Sequence, residues 1–400
     1  MSSTIRIVVS DGGLAGAPLL HALLPHKHLD VRIFESASAF REAGMAVGIT
    51  RNALAASSSL AYQQCNASKQ WELFSCKESD LCWLKHCPPG SVPTGIAIRL
   101  PPERMHASKK LERFDLNGDG SLTLHFADGT SHECDILIGA DGLRSTVRRL
   151  ILREDEPAAF PRNTSAWCVM TLQPSARAQA RICTGPGSIE NDAREYMWIG
   201  DRAYLLHNVL HGGELMQVVI SSYRNDAESS DRWHRTVSAD EIKELYHKWP
   251  PHLSRALFCE QPKQPAMYIW EHPPTTTYVA GPVWIVGDAA HATTPWQGSG
   301  AGISIEDSLI LSTLLGRAST TAEARTAWQA YDQVRRLRTQ RIVESSRATG
   351  LILCGSREET RLGLRSLRSS LLPRWDFIVD CNNKKDRNEA VELMERALKP

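Results

Sequence analysis

The sequence lacks any surplus of charge: 46 Lys and Arg stand against 45 Asp and Glu, for a net charge of +1. A partner held by bulk charge, whether nucleic acid or an anionic membrane, is therefore not expected. There is no apolar run of about 18 residues, so no membrane span is expected. Met1 to Thr4 lead straight into Ile5-Arg6-Ile7-Val8-Val9 with no basic and then apolar leader pattern, and Ala397-Leu398-Lys399-Pro400 is no prenylation box; neither secretion nor lipid anchoring is expected. None of the 10 cysteines is spaced Cys-x-x-Cys. The nearest thing to a metal set is Cys82 and Cys87 around His86, which lacks a second ligand pair, so no metal is expected and the thiols read as reduced and cytoplasmic. Glycine (26) and proline (21) are at ordinary levels, which excludes a fibrous or low-complexity chain. What remains is 400 residues, 42% hydrophobic, enough for one large or two coupled domains.

The strongest local pattern is at the start. Ile5–Val9 reads as a strand, Ser10-Asp11-Gly12-Gly13-Leu14-Ala15-Gly16 as a glycine-rich turn, Ala17–Leu24 as a helix and Asp30–Glu35 as a strand ending in an acid. Strand, turn, helix, strand and acid in this order form a dinucleotide-binding βαβ unit. Gly13 and Gly16 let the backbone approach a pyrophosphate, the helix start offers free N–H groups, and Glu35 is placed to accept from ribose hydroxyls. In the G-x-G-x-x-G register, however, the first position is Asp11. A carboxylate there adds a Cβ and a like charge beside the phosphates.

Two further apolar strands run into glycine-rich turns. Asp135–Ile138 leads to Gly139-Ala140-Asp141-Gly142-Leu143-Arg144-Ser145-Thr146-Val147-Arg148, and Val283–Val286 leads to Gly287-Asp288-Ala289-Ala290-His291-Ala292. Thr293-Thr294-Pro295-Trp296-Gln297-Gly298-Ser299-Gly300-Ala301-Gly302 follows, then a helix over Ile303–Leu315. Between the second and third turns, Phe160 to about Ile269 alternates like an antiparallel sheet, with strands at Ala203–Leu206 and Leu215–Ile220 and an amphipathic helix over Asp240–Trp249. Thr321–Thr349 reads as a long helix with Ala327, Ala330, Val334 and Leu337 inward and its arginines solvated, and Glu389–Leu398 as a final helix.

These three motifs, in this order, resemble the FAD-dependent aromatic monooxygenases of the para-hydroxybenzoate hydroxylase type, in particular the salicylate-hydroxylase-like enzymes of fungal secondary metabolism. The resemblance implies an α/β fold: a Rossmann-like FAD-binding domain with an inserted antiparallel-sheet substrate domain and C-terminal helices. It places the FAD domain at residues 1–54, 95–158 and 275–350, the substrate domain at 55–94 and 159–274, and a helical segment at 351–400. It also implies cofactor contacts at Gly13, Gly16, Glu35, Arg99, Asp141, Gly142, Gly287, Asp288, Gly300, Ala301 and Gly302. Pro295, Gly298 and Gly300 would frame the reacting flavin ring, and Asp288 would meet the ribitol chain. For Asp141 a second reading stands, a helix cap shared with Ser145. His291 reads as a packing and hydrogen-bonding residue rather than a base. Arg148 and Arg149 read either as part of the pyrophosphate field or as solvated surface.

The implied chemistry is reduction of FAD by NAD(P)H, reaction with dioxygen to a flavin hydroperoxide, and hydroxylation of a small phenolic or related aromatic substrate. The chain departs from the family pattern at Asp11, at Trp167-Cys168 where relatives carry an aromatic-Arg pair, at Asn208-Val209, and around Arg99, where a helix is missing. Those departures keep a second reading open: a relative with weak or no FAD binding, acting as a non-redox cyclase or isomerase or as an inactive binding protein.

Overall fold

The computed structural model describes residues 4–40, 48–61, 74–75, 81–83, 101–176, 195–200, 202–210, 214–223, 232–249, 262–354 and 364–399. Arg99, the Cys82–His86–Cys87 side chains and most of residues 55–89 lie outside the described residues.

Ile5–Ser10, Gly16–Leu23 and Leu29–Phe34 form the strand, helix and strand expected from the opening residues. Ile5, Ile7, Val8 and Val9 are all fully buried, as in a parallel strand covered on both faces. The helix closes over them with Leu19, Leu20 and Leu23, each wholly buried and each stabilising by about 2 kcal/mol. Pro18 sits in the first turn, where no intrahelical N–H is lost.

This unit nucleates a six-stranded sheet. Its order is Val279–Ala280, Val283–Ile285, Ile136–Gly139, Ile5–Ser10, Leu29–Phe34 and Met105–His106, with only the first strand antiparallel. Strands more than a hundred residues apart in sequence are thus neighbours, and their registers pair Ser10 with Gly139 and Gly139 with Ile285. A three-stranded meander, Leu111–Leu116, Leu122–Phe126 and Ser131–Cys134, packs on this core; the sequence reading did not resolve it.

A second, antiparallel sheet of six strands has the order Glu195–Gly200, Ala203–Leu210, Leu215–Tyr223, Arg162–Pro174, Lys263–Glu271 and His234–Ser238. Its two faces differ. Trp167, Val169, Leu205, Val218 and Ile220 pack under the Ala239–Leu245 helix. Ala166, Tyr204 and Ile269, with Cys168, Leu206 and Tyr223, pack on the opposite side against Trp296, Ile352 and Leu353. The Ala239–Leu245 helix stops short of Trp249, and a turn follows. Pro250-Pro251 disfavours helical backbone in the residue before it.

Helices Gly300–Arg317, Thr321–Leu353 and Asn383–Ala397 complete the molecule. In the 33-residue helix Thr321–Leu353, Ala327 and Ala330 face the core, whereas Leu337 is 65% exposed. The inward face turns instead through Arg335, which is completely buried, so its basic residues are not all solvated. Helix Arg51–Ala61 runs across the 54/55 boundary and lies against helix Gly300–Arg317 through Ala53, Ala56, Ile305 and Leu309. Among the described residues no helix is long and apolar enough to cross a membrane.

Candidate functional site

The three glycine-rich turns meet at the carboxyl ends of adjacent parallel strands. The Ala140 N–H donates to the Ser10 carbonyl at 2.9 Å, and the Val286 N–H to the Gly139 carbonyl at 2.9 Å, so the strands stay paired up to the turns that leave them. Crevices at this end of a parallel sheet, where the chain leaves in opposite directions, are where such folds hold ligands.

In the first turn a Cβ on Gly16 would collide with the Asp11 carbonyl oxygen, so helix and strand approach as only glycine allows. Asp11 adopts φ 82°, left-handed backbone that aspartate tolerates better than most residues. Its Oδ1 accepts the Gly13 N–H at 3.0 Å. Glu35, at the end of the second strand, accepts the Gly12 N–H at 3.0 Å and the Ala37 N–H at 2.7 Å. Burial opposes ionisation of Glu35, but the N–H groups of Ala37 and Gly12 outweigh it and hold its carboxyl below the usual range. Asp11 is pushed the other way, up to about 7, by burial first and then by Glu35 and Asp141.

In the second turn Asp141 is a cap. Its Oδ2 accepts the Thr146 and Val147 N–H groups at 2.7 and 3.1 Å, its Oδ1 accepts the Ser145 hydroxyl at 2.5 Å, and Ser145 in turn accepts the Arg148 N–H. Both residues therefore cap helix Thr146–Leu152. Gly142 takes φ 69°. Arg148 is neither solvated nor a phosphate ligand. It is fully buried, and its guanidinium donates to the carbonyls of Ala158 (2.7 Å), Ala289 (3.0 Å), Ala290 (2.7 Å) and Pro273 (3.2 Å). Burial lowers its pKa to about 10, which leaves it charged at neutral pH. It ties the second turn to the third.

In the third turn Gly287 has φ 58°, and a Cβ there would strike the Ala15 methyl. Asp288 is exposed although Gly287, Ala289 and Ala290 around it are buried. It lies on the floor of the cleft, where the surrounding protein strips away enough water to raise its pKa, against the opposing pull of His291.

The loop that follows is held from inside. Trp296 lies edge-on to Tyr204 (5.5 Å between centroids) and stacks on Tyr223 (6.1 Å). Gln297 donates to the Arg374 carbonyl at 2.9 Å, and Thr294 exchanges hydrogen bonds with Ser346 at 2.9 and 2.7 Å. Pro295 and Gly298 are left exposed on the outside. Gly300, Ala301 and Gly302 open the helix that follows, and no side chain caps it; Ser299 donates to the Gln297 carbonyl instead. Helices starting at Thr146, Ala239, Thr321 and Asn383 are capped by Ser145, Ser238, Thr320 and Asn382. The helices at Gly16 and Gly300 carry no side-chain cap, so both present N–H groups and positive dipole to the cleft.

Behind the loop lies an ion network the sequence reading did not assign. Asp307 Oδ2 accepts the Gly287 N–H at 3.1 Å and bonds His291 Nε2 at 2.6 Å, while its Oδ1 accepts Arg335 Nε at 2.8 Å. Arg335 also pairs with Glu306 at 2.8 Å, which pairs with Arg338 at 2.8 Å and accepts Asn52 Nδ2 at 2.6 Å. Burial would neutralise Glu306 and Asp307, but Arg335 on both, with Arg338 on Glu306 and His291 on Asp307, holds their pKa values low. His291 is thus a hydrogen-bonding residue. Glu306 and Asp307 stand in the helix that follows the third turn, yet no spacing in the sequence points to Arg335.

At Trp167-Cys168, Trp167 faces away from Trp296 and carries Arg235 over its ring at 5.0 Å. Cys168 is on the Trp296 side, with its thiol pushed up to about 11 by burial, so it contributes no charge to that face. A cavity of about 440 Å³ elsewhere, between helices Gly300–Arg317 and Asn383–Ala397, is lined by His26, Leu309 and Arg387 and by none of the motif turns.

Comparison with known proteins agrees with this geometry. A family described as an FAD binding domain matches residues 119–346. 6-Methylsalicylate 1-monooxygenase atA of Aspergillus terreus is 31% identical, over 98% of this chain and 93% of that protein. A salicylate hydroxylase of Pseudomonas putida is 30% identical, over 86% and 85% of the two chains. Among solved structures, a salicylate hydroxylase substrate complex superposes with a TM-score of 0.78 at 23% identity, covering 98% of each chain. CtdE in complex with FAD and a substrate superposes at 0.77 and 16% identity, covering 99% of this chain and 100% of the other.

Proposed function

The chain belongs to the FAD-dependent monooxygenases built on this FAD binding domain, and from that premise we propose that it hydroxylates a small phenolic acid of the salicylate type. The observation that carries this reading is the cleft itself, where three turns, two uncapped helix starts and an exposed carboxylate converge beside an aromatic-lined sheet face. FAD, reduced by NAD(P)H, supplies the oxygen-transfer chemistry with dioxygen.

The residues fit that cofactor: the Gly16 and Gly287 approaches leave no room for a side chain, and Asp288 stands open to the cleft. Gly13 and Gly16 are proposed to border the diphosphate, with Glu35 accepting from the adenosine ribose. Asp141 acts there through the helix start it caps, with Gly142 giving close backbone approach. Gly287 and Asp288 hold the ribitol chain, Asp288 by accepting a hydroxyl. Gly300, Ala301 and Gly302 offer N–H groups to the electron-rich edge of the flavin ring, while Pro295 and Gly298 border its reacting face. Arg99, outside the described residues, stays a candidate for the diphosphate. The cofactor unit is proposed to comprise 1–54, 95–158 and 275–350, the substrate unit 55–94 and 159–274, with 351–400 a C-terminal helical segment.

The substrate would lie under the Tyr204, Leu206 and Cys168 face. Aromatic walls exclude water there. A cytoplasmic setting fits the free thiols at Cys134, Cys168, Cys354 and Cys381.

The test is turnover of salicylate, 6-methylsalicylate and simple phenols under isotopically heavy dioxygen with NAD(P)H. One heavy oxygen in a ring product is expected, with release of carbon dioxide where the carboxyl position is attacked. A flavin-loaded protein that transfers no oxygen to any of them would overturn the substrate reading.

A further inference from the structure

Asp11 occupies the first glycine position of a turn whose free N–H groups would border a diphosphate. Two of those groups are already engaged. Asp11 Oδ1 takes the Gly13 N–H at 3.0 Å, and Glu35 Oε2 takes the Gly12 N–H at 3.0 Å. The Gly12 and Gly13 N–H groups, adjacent in the chain, thus hold the Glu35 and Asp11 carboxyl groups in one turn. Two carboxylates held in one turn repel each other, which makes the second ionisation costly and favours a proton on one of them.

We propose that Asp11 makes cofactor capture proton-linked: the FAD diphosphate settles into the first turn only when Asp11 carries a proton. This rests on the FAD reading of the cleft.

Which carboxyl holds the proton follows from the donors around each. Glu35 accepts Gly12, Ala37 and the Ser36 hydroxyl, and those bonds favour its ionised form. Asp11 has one backbone donor, Gly13, and the charged groups facing it are Glu35 from the end of the second strand and Asp141 from the second turn, both acidic. The dipole of helix Gly16–Leu23 favours a negative charge at its start, but it acts on diphosphate and Asp11 alike and so does not decide between them. The proton therefore rests on Asp11, with a pKa of about 7.

The sign follows. Below that pKa Asp11 is neutral, and the diphosphate meets the N-terminal dipole without a competing charge. Above it the ionised carboxylate competes for the same N–H groups and repels the phosphates, so binding must take up a proton. Affinity then falls about tenfold per pH unit.

The test is titration of FAD into the full-length apo-protein, followed by flavin fluorescence, from about pH 5.5 to 8.5. The wild type is expected to show a constant Kd at the acid end and a rise of about tenfold per unit above about pH 7. Asp11→Asn and Asp11→Gly are expected to give pH-independent Kd values, tighter than wild type at the alkaline end. Both residues tolerate left-handed backbone, so both variants keep the turn. Glu35→Gln removes the like charge and should move the break to lower pH, whatever it does to the affinity itself. A wild-type Kd that does not change with pH, or an Asp11→Asn variant with the wild-type slope, overturns the proposal while leaving the flavin reading intact. No FAD binding by any variant at any pH would overturn both.

Discussion

His291 Nε2 and Asp307 Oδ2 lie 2.6 Å apart, both side chains fully buried, and the same Asp307 oxygen accepts the Gly287 N–H. One carboxylate thus fixes the left-handed Gly287 turn and the short helix after it. Arg335, 28 residues further along in helix Thr321–Leu353, locks that carboxylate in place. The position of Asp288 in the cleft follows from this buried network.

Asp307→Asn should be destabilised by about 3–5 kcal/mol, because Arg335 loses half of its buried counter-charge. Urea unfolding of the apo-protein checks this. The double variant Asp307→Asn/Arg335→Met should lose less than the sum of the two single losses, since the pair shares one interaction.

Arg148→Lys should also destabilise, by about 2 kcal/mol. An ammonium cannot reach the four carbonyls that the planar guanidinium spans between Ala158, Pro273, Ala289 and Ala290. Thermal unfolding is the measurement, and an unchanged midpoint would remove the link between the second and third turns.

Asp288→Ala should weaken FAD binding by about tenfold or more, the worth of a hydrogen bond to a charged group, while leaving the apo-protein at least as stable. Its carboxylate is held in surroundings that raise its pKa, so removing it takes no stability from the apo-protein. Full flavin retention after gel filtration would contradict the ribitol role.

Asp11→Asn should stabilise the apo-protein in a pH-dependent way. Folded Asp11 keeps its proton to about pH 7, whereas in the unfolded chain it ionises near the ordinary value of about 3.9. The wild type therefore loses stability as pH rises between those values and regains none above them. The difference between variant and wild type should be absent at about pH 4 and fully developed above about pH 7, as read from unfolding midpoints across that range.

Local order carried most of the fold into the sequence. The strands at Ile5 and Val283, the helices at Gly16 and Gly300, and the alternation from Arg162 to Glu271 follow from residue type and period, which are set by neighbours in the chain. What stayed hidden depends on contacts across the chain. The cap role of Asp141 stood open beside a cofactor role because the same strand, turn and helix start can serve either, and spacing does not show which N–H groups its carboxylate meets. Arg148 and Arg335 look like surface arginines until the carbonyls and carboxylates that meet them are known. Leu337 fits an apolar stripe by spacing, but it points to solvent, because the inward face turns instead toward Arg335 and its acids. In the meander Leu111–Cys134 only the five-residue central strand Leu122–Phe126 alternates cleanly; the strands beside it carry exposed charged residues and no such period.

The three glycine-rich turns are proposed to hold FAD together. The most direct measurement is the flavin content of the purified full-length protein after incubation with excess FAD at mildly acid pH and gel filtration. One FAD per chain, seen as the flavin absorbance bands and reduced in them by halving of occupancy or more in Asp288→Ala, is the expected result. A colourless protein that retains no flavin would contradict the account.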